Sequence, residues 1–214
     1  MMTAQPFNKI RVHVVDDDES FRTAIGRVLQ ASGYPVSAYD SAAAFLNSGL
    51  LDEPGCILLD VNMPAVSGLQ LQEHLGKLAH PLPVIFLTGH GDVAMSVRAV
   101  KAGAEDFLLK PVARDDLLDA IERAGQRYHD ALGQRLELDE LRRRAATLTP
   151  REREVFGLVV QGLLNKQIAY ELGNSERTVK AQRHALMEKM NVGSLAELVL
   201  AASRLNILED PRNS

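Results

Sequence analysis

The sequence predicts an α/β domain followed by a small all-α domain, and three observations carry that reading. Apolar runs without alternation, at 56–59 and 83–87, mark strands buried on both faces of a parallel sheet. Between residues 10 and 127, strand-like and helix-like segments alternate five times, the pattern of right-handed βα units. From Leu148 onward the signals are helical only, with capping sequences and glycine stops.

The elements follow in order. Ile10-Arg11-Val12-His13-Val14-Val15 is a short β-branched strand that ends on Asp16-Asp17-Asp18-Glu19. A helix over 20–31 turns Phe21, Ile25, Val28 and Leu29 inward and stops at Gly33. Val36–Tyr39 is the second strand, and a helix over 41–47 faces inward with Ala42, Phe45 and Leu46. The third strand, Cys56–Leu59, ends on Asp60 and is closed by Met63-Pro64. A helix from Gly68 to Leu78 leads to the fourth strand, Pro83–Leu87, which ends on Thr88. A helix over Val93–Ala102 is stopped by Gly103. The fifth strand, Asp106–Leu109, ends on Lys110-Pro111, and the fifth helix runs from Asp115 to Arg127.

In a parallel sheet these strand ends share one edge, where open α/β sheets hold their ligand crevice. A flavodoxin-like strand order would set the first and third strands side by side there. Taken alone, Asp60 reads equally well as a turn residue. Taken with Asp16, Asp17, Thr88 and Lys110, it belongs to a site. Three crowded carboxylates raise one another's pKa unless a cation neutralises them, and Mg²⁺ suits a few carboxylates plus waters and a phosphate oxygen. Asp60 then stays ionised and can attack a phosphoryl group, while Lys110 offsets charge on the phosphoryl oxygens.

These residues resemble a known family. The pair Asp16-Asp17, the run Asp60-x-x-Met63-Pro64 with Gly68, Thr88-Gly89, and Phe107-x-x-Lys110-Pro111 together resemble the receiver domain of bacterial two-component response regulators. The resemblance implies phosphorylation of Asp60 by a sensor histidine kinase. It implies Mg²⁺ held by Asp16, Asp17, Asp60 and the backbone carbonyl of Asn62. It gives Lys110 and Thr88 the phosphoryl group, and makes Phe107 an aromatic switch that moves with Thr88. Thr88-Gly89-His90-Gly91-Asp92 resembles the subgroup typified by FixJ, where a Pro often follows two residues after the Asp. Here Ala94 stands instead, which removes a rigid first helical residue. His90 reads as an ordinary loop residue, because no carboxylate is placed beside it by sequence. Hydrolases that work through an aspartyl-phosphate use the same tools, but usually place an acid–base carboxylate two residues after the nucleophile. This chain has Asn62 there.

After Arg127 a charged stretch with Leu132, Leu136, Leu138 and Leu141 reads as a continuation of the fifth helix. Its apolar spacing does not hold a heptad, so a coiled coil is not indicated. Thr149-Pro150-Arg151-Glu152 is a capping box, opening a helix with Val155, Phe156, Val159 and Val160 inward and Gly162 at its end. Asn165 is expected to cap a short helix to Leu172, with Gly173 as its stop. Ser175 caps a longer one over 176–190, with Val179, Leu186 and Met190 inward. Ser194-Leu195-Ala196-Glu197 reads as a second capping box, opening a fourth helix to Arg204. A short helix, a tight turn and a longer helix make a helix-turn-helix, whose second member enters the major groove.

The outward face of that longer helix carries Arg177, Lys180, Arg183, His184 and Lys189 against Glu176 and Glu188, a footprint suited to phosphates. Leu148-Thr149-x-Arg151-Glu152, Gly162, Asn165-Lys166-x-Ile168-Ala169 and Thr178-Val179-Lys180 resemble the LuxR/NarL-type DNA-binding domain. By that resemblance Lys180, Ala181 and His184 touch bases, while Arg183, Lys189 and the Asn165-Lys166 end meet phosphates. Gln182 departs from the His commonly found there.

The resulting expectation is a receiver over 1–128, a helical linker over 129–146 and a four-helix helix-turn-helix domain over 147–214. Phosphorylation would repack the Thr88–Phe107 region, expose a pairing surface for a homodimer, and favour binding to promoter DNA. Transcriptional activation through RNA polymerase follows from the resemblance. Composition agrees. Net charge is −4, made up of 15 Lys/Arg against 20 Asp/Glu in residues 1–146 and 9 against 8 thereafter, so the second part tolerates a polyanion better. One cysteine, Cys56, inside an apolar strand, offers neither a disulfide nor a zinc site. No apolar run approaches the roughly 20 residues of a membrane helix, and the first ten residues lack an apolar secretory segment. The expected location is cytoplasmic.

Overall fold

The structure is a computed structural model that describes residues 9–49, 53–77, 82–89, 97–99 and 101–207. The chain divides into two compact units, Met1–Ala131 and Leu132–Ser214.

In the first unit, β1 (Arg11–Val15), β2 (Val36–Tyr39), β3 (Gly55–Asp60), β4 (Val84–Thr88) and β5 (Asp106–Leu109) form one parallel sheet in the order β2-β1-β3-β4-β5. This is the flavodoxin-like order, with β1 beside β3. Their register runs from Arg11 opposite Gly55 to Val15 opposite Leu59, so Asp16 and Asp60 each follow directly on a matched pair. The helices are α1 (Glu19–Ala31), α2 (Ala42–Leu46), α3 (Gly68–Leu75) and α4 (Arg114–Ala146).

Alternating residues of the central strands serve two separate cores. Cys56, Leu58, Ile85 and Leu87 pack with Ile25 and Leu29 of α1 and with Leu117 and Ile121 of α4. Ile57, Leu59, Val84 and Phe86 pack with Phe45 of α2 and with Leu71 and Leu75 of α3. Burial on both faces is why these strands read as unbroken apolar runs. Each fully buried Leu, Ile or Phe stabilises the unit by about 2 kcal/mol. Cys56 is fully buried, and burial pushes its thiol up to about 12, which makes it an inert packing group.

One boundary on this side of the sheet differs from expectation. α3 ends at Leu75, three residues early, because Gly76 supplies a poor helix former and becomes the C-cap. The helix expected over 93–102 lies mostly outside the described residues, as do His90 and Ala94, although 97–99 and Lys101 are helical and Ala99 is buried.

In the second unit, the end of α4 continues without a break to Ala146, and Leu141 and Ala145 pack onto the core of the unit. There follow α5 (Pro150–Val160), α6 (Asn165–Glu171), α7 (Glu176–Met190) and α8 (Leu195–Arg204) around Phe156, Ile168, Val179, Leu186 and Leu198. Thr149 and Glu152 form the reciprocal capping box at α5. Gly162 and Gly173 take positive φ angles of 87° and 63° just beyond α5 and α6, a backbone that favours glycine. At α6 the cap is Leu164, not Asn165. The Gln167 side chain accepts the Leu164 N–H at 2.8 Å, and this starts the helix one residue earlier. At α8 only half of the second box forms. Ser194 accepts the Glu197 N–H, while the Glu197 carboxylate turns to the N–H of Gly193. None of the described helices is long and apolar enough to cross a membrane.

Candidate functional site

The carboxyl ends of β1, β3, β4 and β5 bring Asp16, Asp60, Thr88 and Lys110 to one edge of the sheet. Asp16 and Thr88 are fully buried and Asp60 is 5% exposed, so the charges that meet here are shielded from water. Lys110 Nζ donates to Asp60 Oδ1 at 2.7 Å and to Asp16 Oδ2 at 2.5 Å. The second oxygen of each carboxylate is held by backbone. Asn62 N–H donates to Asp60 Oδ2 at 2.7 Å, and Asp18 N–H donates to Asp16 Oδ1 at 3.0 Å. Burial pushes the Asp16 carboxyl above its ordinary value, with Lys110 opposing. Burial also works against the Lys110 ammonium, but the two carboxylates outweigh it and hold the lysine above its ordinary value.

Asp17 and the Asn62 side chain are exposed. Among the described residues, no three carboxylate, imidazole or thiol side chains sit close enough to hold a metal ion as they stand. The donors are nonetheless the kind that a hard divalent ion takes: two ordered carboxylates, a third carboxylate beside them in sequence, and nearby carbonyl oxygens. Phe107 lies on β5 with its ring 6.3 Å from that of Phe86, half-buried. The backbone N–H of Lys110 donates to the Thr88 carbonyl at 2.8 Å, tying the lysine's strand end to the threonine's.

In the second unit, Arg177, Lys180, Ala181 and His184 are exposed on α7 at spacings of three and four, and so share one face. Lys166 is exposed near the start of α6. Arg183 and Asn165 are half-buried and bonded to each other, Nη1 to Oδ1 at 3.2 Å, which joins α7 to the first residue of α6. Lys189 donates to both oxygens of Glu152, at 2.8 and 2.6 Å, and this bond holds the Glu152 carboxyl below its ordinary value. His184 lies 3.6 Å from Glu188. Gln182 is half-buried, with its amide oxygen unpartnered among the described residues.

Comparison with known proteins decides the family. Residues 12–122 match the response regulator receiver domain, and residues 146–202 match the luxR family of bacterial regulatory proteins. The chain is 42% identical to the response regulator protein TmoT of Ectopseudomonas mendocina, over 91% of this chain and 88% of the relative. It is 42% identical to the transcriptional regulatory protein FixJ of Rhizobium meliloti (strain 1021), over 89% and 94%. Among solved structures it resembles the response regulator StyR, at 44% identity and a TM-score of 0.79, covering 92% of this chain and 99% of that one. It also resembles full-length FixJ from B. japonicum, at 38% identity and a TM-score of 0.57, covering 94% and 99%. The chain is a response regulator of the NarL/FixJ family.

Several side chains around this response regulator's receiver site were not singled out for it by the sequence. The Phe21 ring lies against the Lys110 ammonium, 4.2 Å from Nζ to ring centroid, and Arg22 Nη1 donates to the Asp16 carbonyl at 2.6 Å. Helical spacing shows Phe21 only as an inward residue of α1. The nearness of Arg22 to an aspartate six positions back depends on how the β1–α1 turn folds. In the regulator's second unit the pairing of Lys189 with Glu152 was equally hidden, because 37 residues separate them.

Proposed function

We propose that this response regulator accepts a phosphoryl group on Asp60 and that the modified receiver controls DNA binding by the second unit. The observation that carries the reading is the Asp16–Lys110–Asp60 bridge at adjacent strand ends, with Thr88 ending the next strand. Receiver domains generally bind Mg²⁺ at the phosphorylation site, and Asp16, Asp17, Asp60 and the Asn62 carbonyl are the groups that would hold it. The bound ion supplies charge neutralisation. Asp60 provides the nucleophilic oxygen, the Asn62 N–H steadies its partner oxygen, and Lys110 offsets charge on the transferred group. Thr88 and Phe107 carry the switch.

The donor is a sensor histidine kinase, as a receiver domain implies. The target is double-stranded promoter DNA, as the LuxR-type domain implies. Arg177, Lys180, Ala181 and His184 form the groove-facing row, and Lys166, Arg183 and Asn165 stand where phosphates pass. Lys189, already neutralised by Glu152, contributes less to binding than its charge suggests. Phosphorylation-driven homodimerisation and activation of RNA polymerase complete the reading, with relatives named as transcriptional regulators in support. Action on promoters places the protein in the cytoplasm, and the receiver, linker and DNA-binding domain span 1–128, 129–146 and 147–214.

Sedimentation and binding to genomic promoter fragments, with and without acetyl phosphate and Mg²⁺, test this. Wild-type protein is expected to dimerise and bind more tightly after treatment, and Asp60→Asn protein to respond to neither. Identical behaviour of the two proteins would overturn it.

A further inference from the structure

The Lys110 ammonium has three partners in this structure: the carboxylates of Asp16 and Asp60 and the face of the Phe21 ring. Two of the three are charged groups that the proposed chemistry claims for itself. An oxygen of Asp16 that binds a divalent cation no longer serves an ammonium equally well, because the two cations compete for it. An oxygen of Asp60 that bonds to phosphorus loses its full negative charge. The ring is the partner that neither event removes. A cation over an aromatic face is held by the ring quadrupole, and more strongly where water is scarce. Lys110 is largely shielded from water, its side chain 18% accessible.

The ring is itself fixed. Phe21 stands in the first turn of α1, its N–H donates to the Asp18 cap at 3.1 Å, and its side chain packs on the core shared by α1, β1 and β3. Simple core packing would account for an apolar residue here, but a leucine would then serve as well.

We propose that Phe21 is a positioning residue for phosphoryl acceptance, its ring keeping the Lys110 ammonium within reach of Asp60 while the carboxylates are drawn to other charges. The proposal rests on Asp60 being the acceptor. With acetyl phosphate as donor, an Asp60 carboxylate oxygen forms a bond to phosphorus. The bond from phosphorus to the acyl oxygen breaks, and acetate leaves with that electron pair. No proton needs to move, so the ammonium acts by charge and position alone.

The test compares wild type, Phe21→Leu and Phe21→Tyr in the full-length chain. Mass spectrometry follows phosphorylation by acetyl phosphate at saturating Mg²⁺, and proton–carbon NMR follows the Lys110 ε-methylene. In wild type and Phe21→Tyr, the ε-protons are expected to be shifted upfield by the ring current. Phe21→Leu should lose that shift and be phosphorylated about fivefold more slowly, the loss expected for one cation–π contact. Tyrosine should restore both. A folded Phe21→Leu protein phosphorylated at the wild-type rate would overturn the proposal, as would a Phe21→Tyr protein as slow as the leucine variant. A wild type that takes up no phosphoryl group would instead overturn the Asp60 reading, and the positioning role with it.

Discussion

Lys110 Nζ lies 2.7 Å from Asp60 Oδ1 and also bonds Asp16, so one ammonium spans two carboxylates drawn from different strands. Without it, the carboxylates of Asp16 and Asp60 face each other with little water between them. Breaking a fully buried pair costs about 3–5 kcal/mol, but Lys110 is partly exposed, and Lys110→Gln should cost about 1–3 kcal/mol without divalent ions. Mg²⁺ should then stabilise the variant more than the wild type, because lysine no longer competes for Asp16. Urea unfolding with and without Mg²⁺ checks this. Equal Mg²⁺ effects on both proteins would show that the lysine and the ion do not compete.

Gly68 opens α3 directly behind the acceptor strand. A Cβ there would lie 2.3 Å from the carbonyl oxygen of Asp60 and 3.0 Å from the Phe86 ring. Gly68→Ala must therefore move backbone at the site itself. It should lower stability by about 2 kcal/mol, read as a drop in the thermal midpoint of the receiver.

His13 on β1 is fully buried, with Nδ1 3.3 Å from the Tyr39 hydroxyl and its ring edge-on to Phe45. Burial, reinforced by Arg11, lowers its pKa from 6.5 to about 4, so the folded chain keeps it neutral where the unfolded chain protonates it. Between those values the unfolded state binds more protons. The stability gained from neutral His13 is therefore complete above pH 6.5 and is lost as pH falls towards 4, at most about 3 kcal/mol. Unfolding free energies measured at pH 7.5 and pH 5 should differ less in His13→Phe than in wild type.

Lys180 and Lys189 lie on one helix but have different surroundings. Lys180 is exposed on the row with Arg177 and His184, whereas Lys189 is bound to the buried Glu152. Lys180→Ala should weaken DNA binding and reduce the salt dependence of log K by about one. Lys189→Ala should leave that slope nearly unchanged and instead lower stability by about 1 kcal/mol, by releasing Glu152. Binding isotherms across salt concentrations separate the two.

The sheet was legible because both its faces are covered, so Cys56–Leu59 and Val84–Leu87 carry no polar interruption until the chain reaches the functional edge. Asp60 and Thr88 were legible for the same reason, each closing a fully buried strand, and Asp16 and Lys110 each follow directly on an apolar pair, Val14-Val15 and Leu108-Leu109. The placement of their neighbours was not. Phe21 lies 89 positions from Lys110 in sequence, and only the packing of α1 against the sheet brings them together. At α6, asparagine is the better capping residue, yet Gln167 satisfies the Leu164 N–H and moves the start back by one. Asn165 is then left to receive Arg183, a pairing set by how α6 and α7 cross and not by local preference.

Asp60 is the residue proposed to take the phosphoryl group. Intact-mass measurement after incubation with acetyl phosphate and Mg²⁺ tests it most directly, with the modified residue located by fragmentation. The prediction is one added phosphoryl group on Asp60 in the wild type and none in Asp60→Asn. A phosphoryl group found on another residue, or retained in the Asp60→Asn protein, would rule out Asp60 as the acceptor.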